Sequence, residues 1–398
     1  MDEKTYKTLK TENIRTPNFY ILPKIHKELC PGRPILSANG CPTEKISGYI
    51  DAYINPLVQQ TPSYIKDTTH FLQLIHEIQT PLPENTLLVT LDVSSLYTNI
   101  PHDETILAVK ETMKSKNLNP NLIKWISKLL SHVLTKNAFQ FNEEIYLQTR
   151  GTAMGTIVAP ASANLFMNKL ETKALHDYPL KPLIWKRFID DIFCIWTHGE
   201  KELIKFFTYL NQLHQTIKFT YEYSAEHITF LDTTVHYLNK ELYTDLFCKK
   251  TDLHGYLHYH SAHPDKCKTS SPYSQILRIK RICTHEIDFI KHQYKLVHYY
   301  KQRGYPLSIL LENIKKAQKI NRQDLLYPQN KIQKVDTKPT RIPLVLTYHP
   351  VNPPLVKIIN KYWYLLEQSS APDEFTNKPI IAYKRLPNIK DQVVKAKW

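Results

Sequence analysis

The sequence predicts an α+β fold built on an antiparallel sheet, and three observations carry that prediction. A buried strand pattern over residues 86–97 (TLLVTLDVSSLY) is matched, much later, by two apolar runs meeting at Asp190-Asp191 (IWKRFIDDIFCIW), the pattern of a hairpin. Helical periodicity is clearest over residues 119–135, where Leu122, Ile126, Leu129, Leu130 and Val133 share one face. Hydrophobic residues make up 42% of the 398, enough for a sizeable core, which excludes wholesale disorder.

Residues 1–16 are polar and read as a frayed start. The text from residue 17 is Pro-rich and basic (PNFYILPKIHKELCPGRPILSANG), then turns helical through ISGYIDAYINPLVQQ. A second helical pattern covers 67–79. Helices at 101–115 and 119–135 follow the strand, then a hairpin, AFQFNEEIYLQT, with a polar turn. The loop GTAMG leads into a helix opened by Pro160, favoured in a first turn because its missing N–H is unneeded there. Residues 201–216 read as helix, and FTYEYS, HITFLDTTVHYL and ELYTDLFC as three short strands. Beyond residue 250 the text is His-rich and basic, with helices over 274–301 and 307–319 and a Lys- and Pro-rich linker near 328–343. A strand (IPLVLTYH) and a helix (PPLVKIINKYWYLLEQ) close the chain.

Lys and Arg total 52 against 37 Asp and Glu, a net charge of +15, which points to a polyanionic partner, nucleic acid before membrane. With only eight glycines there is neither G-x-G-x-x-G nor G-x-x-x-x-G-K-[ST], so dinucleotide and P-loop readings are excluded. Six cysteines are scattered without a C-x-x-C pair, the charged opening MDEKTYKTLK is no signal peptide, and no apolar run approaches the ~18 residues of a membrane span. A soluble intracellular protein with free thiols is the expectation.

Asp92 ends the buried strand, and Asp190 and Asp191 sit at the hairpin tip. Adjacent aspartates are common turn formers. Here, though, two carboxylates ~4 Å apart at an effective dielectric near 20 repel by about 4 kcal/mol, a penalty that a divalent cation removes. An all-oxygen ligand set suits Mg²⁺ or Mn²⁺ rather than zinc. With the Asp92 strand beside the hairpin, the carboxylates could hold two ions ~3.5–4 Å apart, the arrangement that supports in-line phosphoryl displacement.

LDVSSLYTNIP, GTAMGTIVAPASANLFM and RFIDDIF resemble motifs A, B and C of reverse transcriptases, in the right order. The wording is most similar to the Penelope-like retroelement family, relatives of telomerase. PKIHK…GRPILS resembles that family's fingers motif, and FLDTTV and TDLHGYLHYHSAHPDKCK…YSQILRIKRIC its later palm and thumb signatures. The resemblance covers roughly residues 17–395. It implies a right-hand polymerase: residues 1–85 the N-terminal part of the fingers, 86–250 the palm with a fingers insertion near 104–150, and 251–398 a helical thumb and C-terminal extension.

Carried over residue by residue, the resemblance makes Asp92 a metal ligand with the Val93 carbonyl, Asp190 the second carboxylate ligand and Asp191 its neighbour, around two Mg²⁺ ions (Mn²⁺ possible). Phe188 stands where motif C commonly has Tyr. Tyr97 takes the place of the aromatic gate that crowds a ribose 2′-OH. Met154-Gly155 replaces Gln-Gly, and Gly155 would let backbone approach the nascent base pair. Lys27 and Arg33 resemble the basic pair that holds the incoming triphosphate. Lys218, or else Lys205, is the candidate acid for the departing pyrophosphate. Arg278, Lys280 and Arg281, in a basic thumb with KHQYKLVHYYKQRGY, would grip the phosphates of a hybrid duplex.

The partners implied are an RNA template, a DNA primer and deoxynucleoside triphosphates, with no membrane, in the nucleus. His254, His258, His260, His263 and Cys267 fit no established zinc spacing. Most Penelope-like proteins continue into a GIY-YIG endonuclease; this text stops at VVKAKW without that pair, so a truncated or endonuclease-lacking member is expected. Two other classes compete: a catalytically inactive nucleic-acid-binding relic, and an RNA-dependent RNA polymerase.

Overall fold

The computed structural model describes residues 3–25, 29–328, 343–351, 355–368, 377–387 and 389. The chain clusters into two compact units, Met1–Thr251 and Asp252–Trp398.

The first unit opens with α1 (Glu3–Leu9), the ribbon β1 (Phe19–Pro23) and β2 (Gly32–Leu36), then α2 (Glu44–Val58) and α3 (Thr68–His76). Next come β3 (Leu87–Val93), α4 (Leu96–Asn99), α5 (His102–Ser115), α6 (Pro120–Thr135), and the hairpin β4 (Ala138–Phe141) and β5 (Glu144–Leu147). After α7 (Ala159–Asp177), β6 (Ile184–Phe188) and β7 (Asp191–Trp196), the unit ends with α8 (Gly199–Gln212), β8 (Phe219–Ser224), β9 (His227–Phe230), β10 (Thr233–Leu238) and β11 (Glu241–Leu246).

The central sheet is antiparallel, in the order β6-β7-β3-β8. Alternation assigns its side chains to two faces. On one face, Val89, Leu91 and Val93 of β3 and Ile192, Cys194 and Trp196 of β7 pack with Met167 of α7 and Phe206 and Phe207 of α8. On the other, Leu88, Phe193 and Ile195 meet Phe71 of α3 and Ile228, Phe230 and Val235 of the β9–β10 hairpin. Both faces of β3 and β7 are therefore covered. A separate core joins α2, α5, α6 and α7 through Ile50, Ile54, Val109, Met113, Ile126 and Leu130.

The second unit contains α9 (Asp265–Ile282), α10 (Glu286–Gln302), α11 (Leu307–Gln318) and α12 (Arg322–Leu326). Ile276, Ile279, Ile282, Phe289, Leu296, Tyr300, Leu310 and Ala317 are buried in it. Beyond them lie β12 (Pro343–Thr347), α13 (Leu355–Tyr362), α14 (Tyr364–Glu367) and β13 (Ile380–Lys384), with β12 and β13 paired in parallel. No helix among the described residues is long and apolar enough to cross a membrane.

The structure corrects four local expectations. The start is not frayed: α1 buries Leu9, and Thr11 is buried just beyond it, its hydroxyl donating to the Pro42 carbonyl at 3.5 Å. HITFLDTTVHYL is two strands, because Leu231 takes a left-handed φ of 54° and reverses the chain. The helix expected over 274–301 breaks at Cys283, whose ψ of 124° is extended, so α9 and α10 fold as separate helices. The helix expected to Thr216 ends at Gln212, where the Lys218 ammonium and the Asn211 side chain turn the chain into β8. Most of the linker expected near 328–343 lies outside the described residues.

Candidate active site

Asp92 and Asp191 are direct partners in the β3–β7 ladder, and both point to the face that carries Leu88, Phe193 and Ile195. Facing residues of an antiparallel pair hold their Cβ atoms about 5 Å apart. Asp190 lies in the two-residue loop between Phe188 and Asp191, and its carbonyl accepts the Val93 N–H at 3.0 Å. Strand pairing thus brings Asp92 to the adjacent Asp190 and Asp191, far from it in sequence, with Val93 beside them.

Their electrostatics follow from that convergence. Burial first, then the Asp190 and Asp92 charges, pushes the Asp191 carboxyl up to about 6. Burial also raises Asp190, with Asp92 adding to the rise and Arg33 and Lys24 opposing it. Arg33 lies on β2 opposite Leu22. Lys24, just past β1 in the same PKIHK text, was not singled out by the sequence; its alternation with Arg33 across the ribbon was the available signal. Lys27 lies outside the described residues.

Tyr97, in α4, is half-buried; burial and then the Asp190 charge raise its phenol to about 12, so the ring stands on the acidic side. Its carbonyl accepts the Thr152 N–H at 2.6 Å, tying α4 to the GTAMG loop. Gly151 there has φ 70°, and a Cβ would come within 2.5 Å of that same carbonyl. Gly155 has φ 132°, and a Cβ on it would run into the Leu36 carbonyl. The neighbour that demands glycine in this structure is therefore the β2 backbone, which also donates Leu36 N–H to the Met154 carbonyl at 3.0 Å.

A cavity of about 470 Å³ opens on the other flank of the acids, lined by Asp92, Asp191, Thr220, Glu222, Phe247 and Lys249. Lys249 lowers the Asp191 carboxyl against its neighbours' push. Neither Glu222 nor Lys249 was predicted. Glu222 follows from the ladder, opposite Thr90 and on the Asp92 face of the sheet.

Several expected residues are engaged elsewhere. The Lys218 ammonium donates to the carbonyls of Asn211 (2.6 Å) and His214 (3.0 Å) at the end of α8, a favourable seat for a cation. The exposed Lys205 pairs with half-buried Glu202 at 2.7 Å. Arg278, Lys280 and Arg281 are all half-buried in α9. Lys280 donates to the Ala317 and Gln318 carbonyls at 3.2 and 3.3 Å and so closes the end of α11. By contrast Lys295 and Lys301 of α10 are exposed. The His-rich stretch supplies ring packing: His254 stacks on Tyr299 at 3.8 Å and Tyr256 on Tyr300 at 4.6 Å.

Behind the acidic loop sits a group the sequence quoted but gave no role. Arg187 is 1% exposed and pairs with Glu171 of α7, 5% exposed, at 2.8 Å.

Comparisons with known proteins agree with this geometry. A second family profile, the animal helix-turn-helix domain, matches residues 255–316. Among solved structures, telomerase from Candida albicans in complex with a TWJ fragment of telomeric RNA is similar with TM-score 0.55 at 9% identity, over 79% of this chain and 56% of that one. The RNA-dependent RNA polymerase of a human picobirnavirus is similar with TM-score 0.51 at 13% identity, over 78% and 61%. The chain thus spans less than two thirds of the length of those proteins, and it shares with them the right-hand polymerase fold. No curated protein matches the sequence. The profile described as reverse transcriptase (RNA-dependent DNA polymerase) matches residues 33–242, more than half of the chain, from β2 through the acidic loop to the start of β11, so the chain belongs to the reverse transcriptase family.

Proposed function

We propose that this chain is the RNA-directed DNA polymerase of a Penelope-like retroelement, adding deoxynucleotides to a primer 3′-OH on an RNA template. The observation that carries the reading is the pairing of Asp92 with Asp191, with Asp190 in the adjoining loop. Three half-buried carboxylates that repel one another are a poor structural device and a good hard-cation site. Asp92, Asp190, Asp191 and the Val93 carbonyl would hold two Mg²⁺ ions, with Mn²⁺ as a substitute. Bound there, the ions would lower the pKa of the primer hydroxyl and neutralise the departing pyrophosphate.

The remaining roles belong to the chain's own side chains. Arg33, with Lys24 and Lys27, binds the triphosphate from the fingers ribbon, Arg through its planar fork and Lys as a compact charge. The Tyr97 ring occupies the space a ribose 2′-OH would need, which selects deoxynucleotides. In the thumb, the exposed lysines of α10 suit hybrid phosphates better than the half-buried Arg278, Lys280 and Arg281. The Penelope-like subtype is supported by the wording of PKIHK, GTAMGTIVAP and FLDTTV. An element of that kind inserts into chromosomal DNA, which implies a nuclear place of action.

The test is primer extension on poly(rA)/oligo(dT) with Mg²⁺ or Mn²⁺. The wild-type chain is expected to incorporate dTTP, and Asp190→Asn to abolish incorporation while still binding the hybrid. Hybrid binding without any extension by the wild type would favour the inactive relic. Preferred incorporation of ribonucleotides would favour an RNA-directed RNA polymerase.

A further inference from the structure

We propose that Arg187 is a positioning residue for the acidic trio: buried behind the loop, it fixes where Asp190 and Asp191 stand and thereby sets their affinity for a divalent cation. This rests on the trio being the cation site proposed above.

A guanidinium has five N–H donors, and in Arg187 all five are used. Nε donates to Glu171 Oε1 at 2.8 Å and Nη2 to Glu171 Oε2 at 3.2 Å. Nη2 also reaches the Asn164 carbonyl at 3.1 Å, and Nη1 the Asn164 side-chain oxygen. The last donor, on Nη1, goes to the carbonyl of Ile189 at 3.1 Å. Glu171 is equally saturated, taking Trp185 Nε1 at 2.9 Å and the Ser63 hydroxyl at 2.7 Å. The backbone of Arg187 is held too, its N–H by Ser63 and its carbonyl by Ile65.

The Ile189 contact gives this network a use beyond stability. Ile189 has φ 58°, a left-handed conformation that is costly for a β-branched residue and that a two-residue hairpin loop normally gives to Gly, Asn or Asp. Only Ile189 and Asp190 lie between the paired Phe188 and Asp191. Moving the Ile189 carbonyl therefore moves Asp190, whose own carbonyl is tied to Val93 N–H on the other side. Arg187 and α7 hold one end of that two-residue span and β3 the other. A lysine cannot replace the fork: its single ammonium cannot grip Glu171, Asn164 and Ile189 together.

The experiment compares the wild-type chain with Arg187→Lys, Glu171→Gln and Asn164→Ala. Two readouts are taken: the Mn²⁺-induced rise in melting temperature without nucleic acid, and kcat and KM for dTTP in primer extension. Positioning of this kind predicts that the Mn²⁺ concentration giving half the melting shift rises roughly tenfold or more in the variants that fold. It also predicts that kcat falls in parallel while the KM for dTTP moves less than about twofold. Asn164→Ala, which leaves the Arg187–Glu171 pair intact, keeps the test decisive if Arg187→Lys does not fold. A folded Arg187→Lys or Asn164→Ala with wild-type Mn²⁺ response and kcat overturns the positioning role while leaving the cation site standing. A wild-type chain whose melting temperature ignores Mn²⁺ overturns both.

Discussion

Two clusters of charge lie next to one hairpin loop, and they are balanced in opposite ways. Behind the loop, Arg187 and Glu171 are buried as an ion pair with every donor and acceptor position filled. On the other side, Asp190 and Asp191 are raised by burial and by the acid charges around them, Asp92 among these, with Arg33, Lys24 and Lys249 giving only partial relief. A saturated pair holds a shape. An unsaturated cluster of like charges gains from an outside partner, which in the function proposed above is a divalent cation. Under the proposed function, that contrast separates charges that build the fold from charges that would work on a substrate.

The largest effect expected on the comparison is on synthesis. Asp92→Asn or Asp190→Asn is expected to lower primer extension by about a thousandfold or more, since the lost ligand acts on both the attacking and leaving oxygens. Loss of hybrid binding in the same variants, by filter retention, would show that the acids are part of the fold's own balance. Next in size is stability. Glu171→Ala leaves Arg187 buried and unpaired, and urea unfolding is expected to register about 3–5 kcal/mol of destabilisation. Asp191→Asn is expected to do the reverse in metal-free buffer, raising the urea midpoint, because it removes a repelled carboxylate. Equal destabilisation by both substitutions would erase the distinction between the two clusters.

The pH dependence follows from the direction of the Asp191 shift, up to about 6. The native chain holds that proton more tightly than the unfolded chain, whose Asp titrates near ~3.9. The stability this group contributes is therefore fully present below that value and lost as pH rises through about 6. Cation binding has the opposite sense, because the ion must displace the proton: Mn²⁺ affinity is expected to weaken up to roughly tenfold per pH unit below that range. Calorimetric titration at stepped pH checks both signs. Smaller still is sugar selection. Tyr97→Ala is expected to relax the preference for deoxynucleotides about 10- to 200-fold, read as a ratio of kcat/KM values. The smallest effect is at the thumb, where Lys295→Gln is expected to reduce the salt slope of hybrid binding by about 1 and Lys280→Gln to leave it unchanged.

Much of this was legible in the sequence because it rests on short-range pattern. The hairpin at Ile184–Phe188 and Asp191–Trp196 shows as two apolar runs, and α6 as a stripe in which Ile126, Leu129, Leu130 and Val133 are indeed buried. The motif order brought Asp92, Asp190 and Asp191 together before any coordinates did. What could not be read depends on which strand pairs with which. Glu222 belongs beside the acids only because β8 pairs with β3, and Lys249 only because the segment after β11 folds back along the same cavity. The seat of the Lys218 ammonium on the end of α8 could not be read either, because a lysine in sequence gives no sign of which carbonyls it will meet. The break between α9 and α10 was missed because the apolar spacing continues across Ile282 and Cys283 without Gly or Pro.

The most direct measurement is electron paramagnetic resonance of Mn²⁺ titrated into the protein bound to poly(rA)/oligo(dT) and dTTP, with a terminated primer to stop chemistry. The wild-type chain is predicted to take up two ions, and Asp190→Asn to lose that occupancy. Unaltered uptake by Asp190→Asn, or none by the wild type while the hybrid is bound, would contradict the account at its centre.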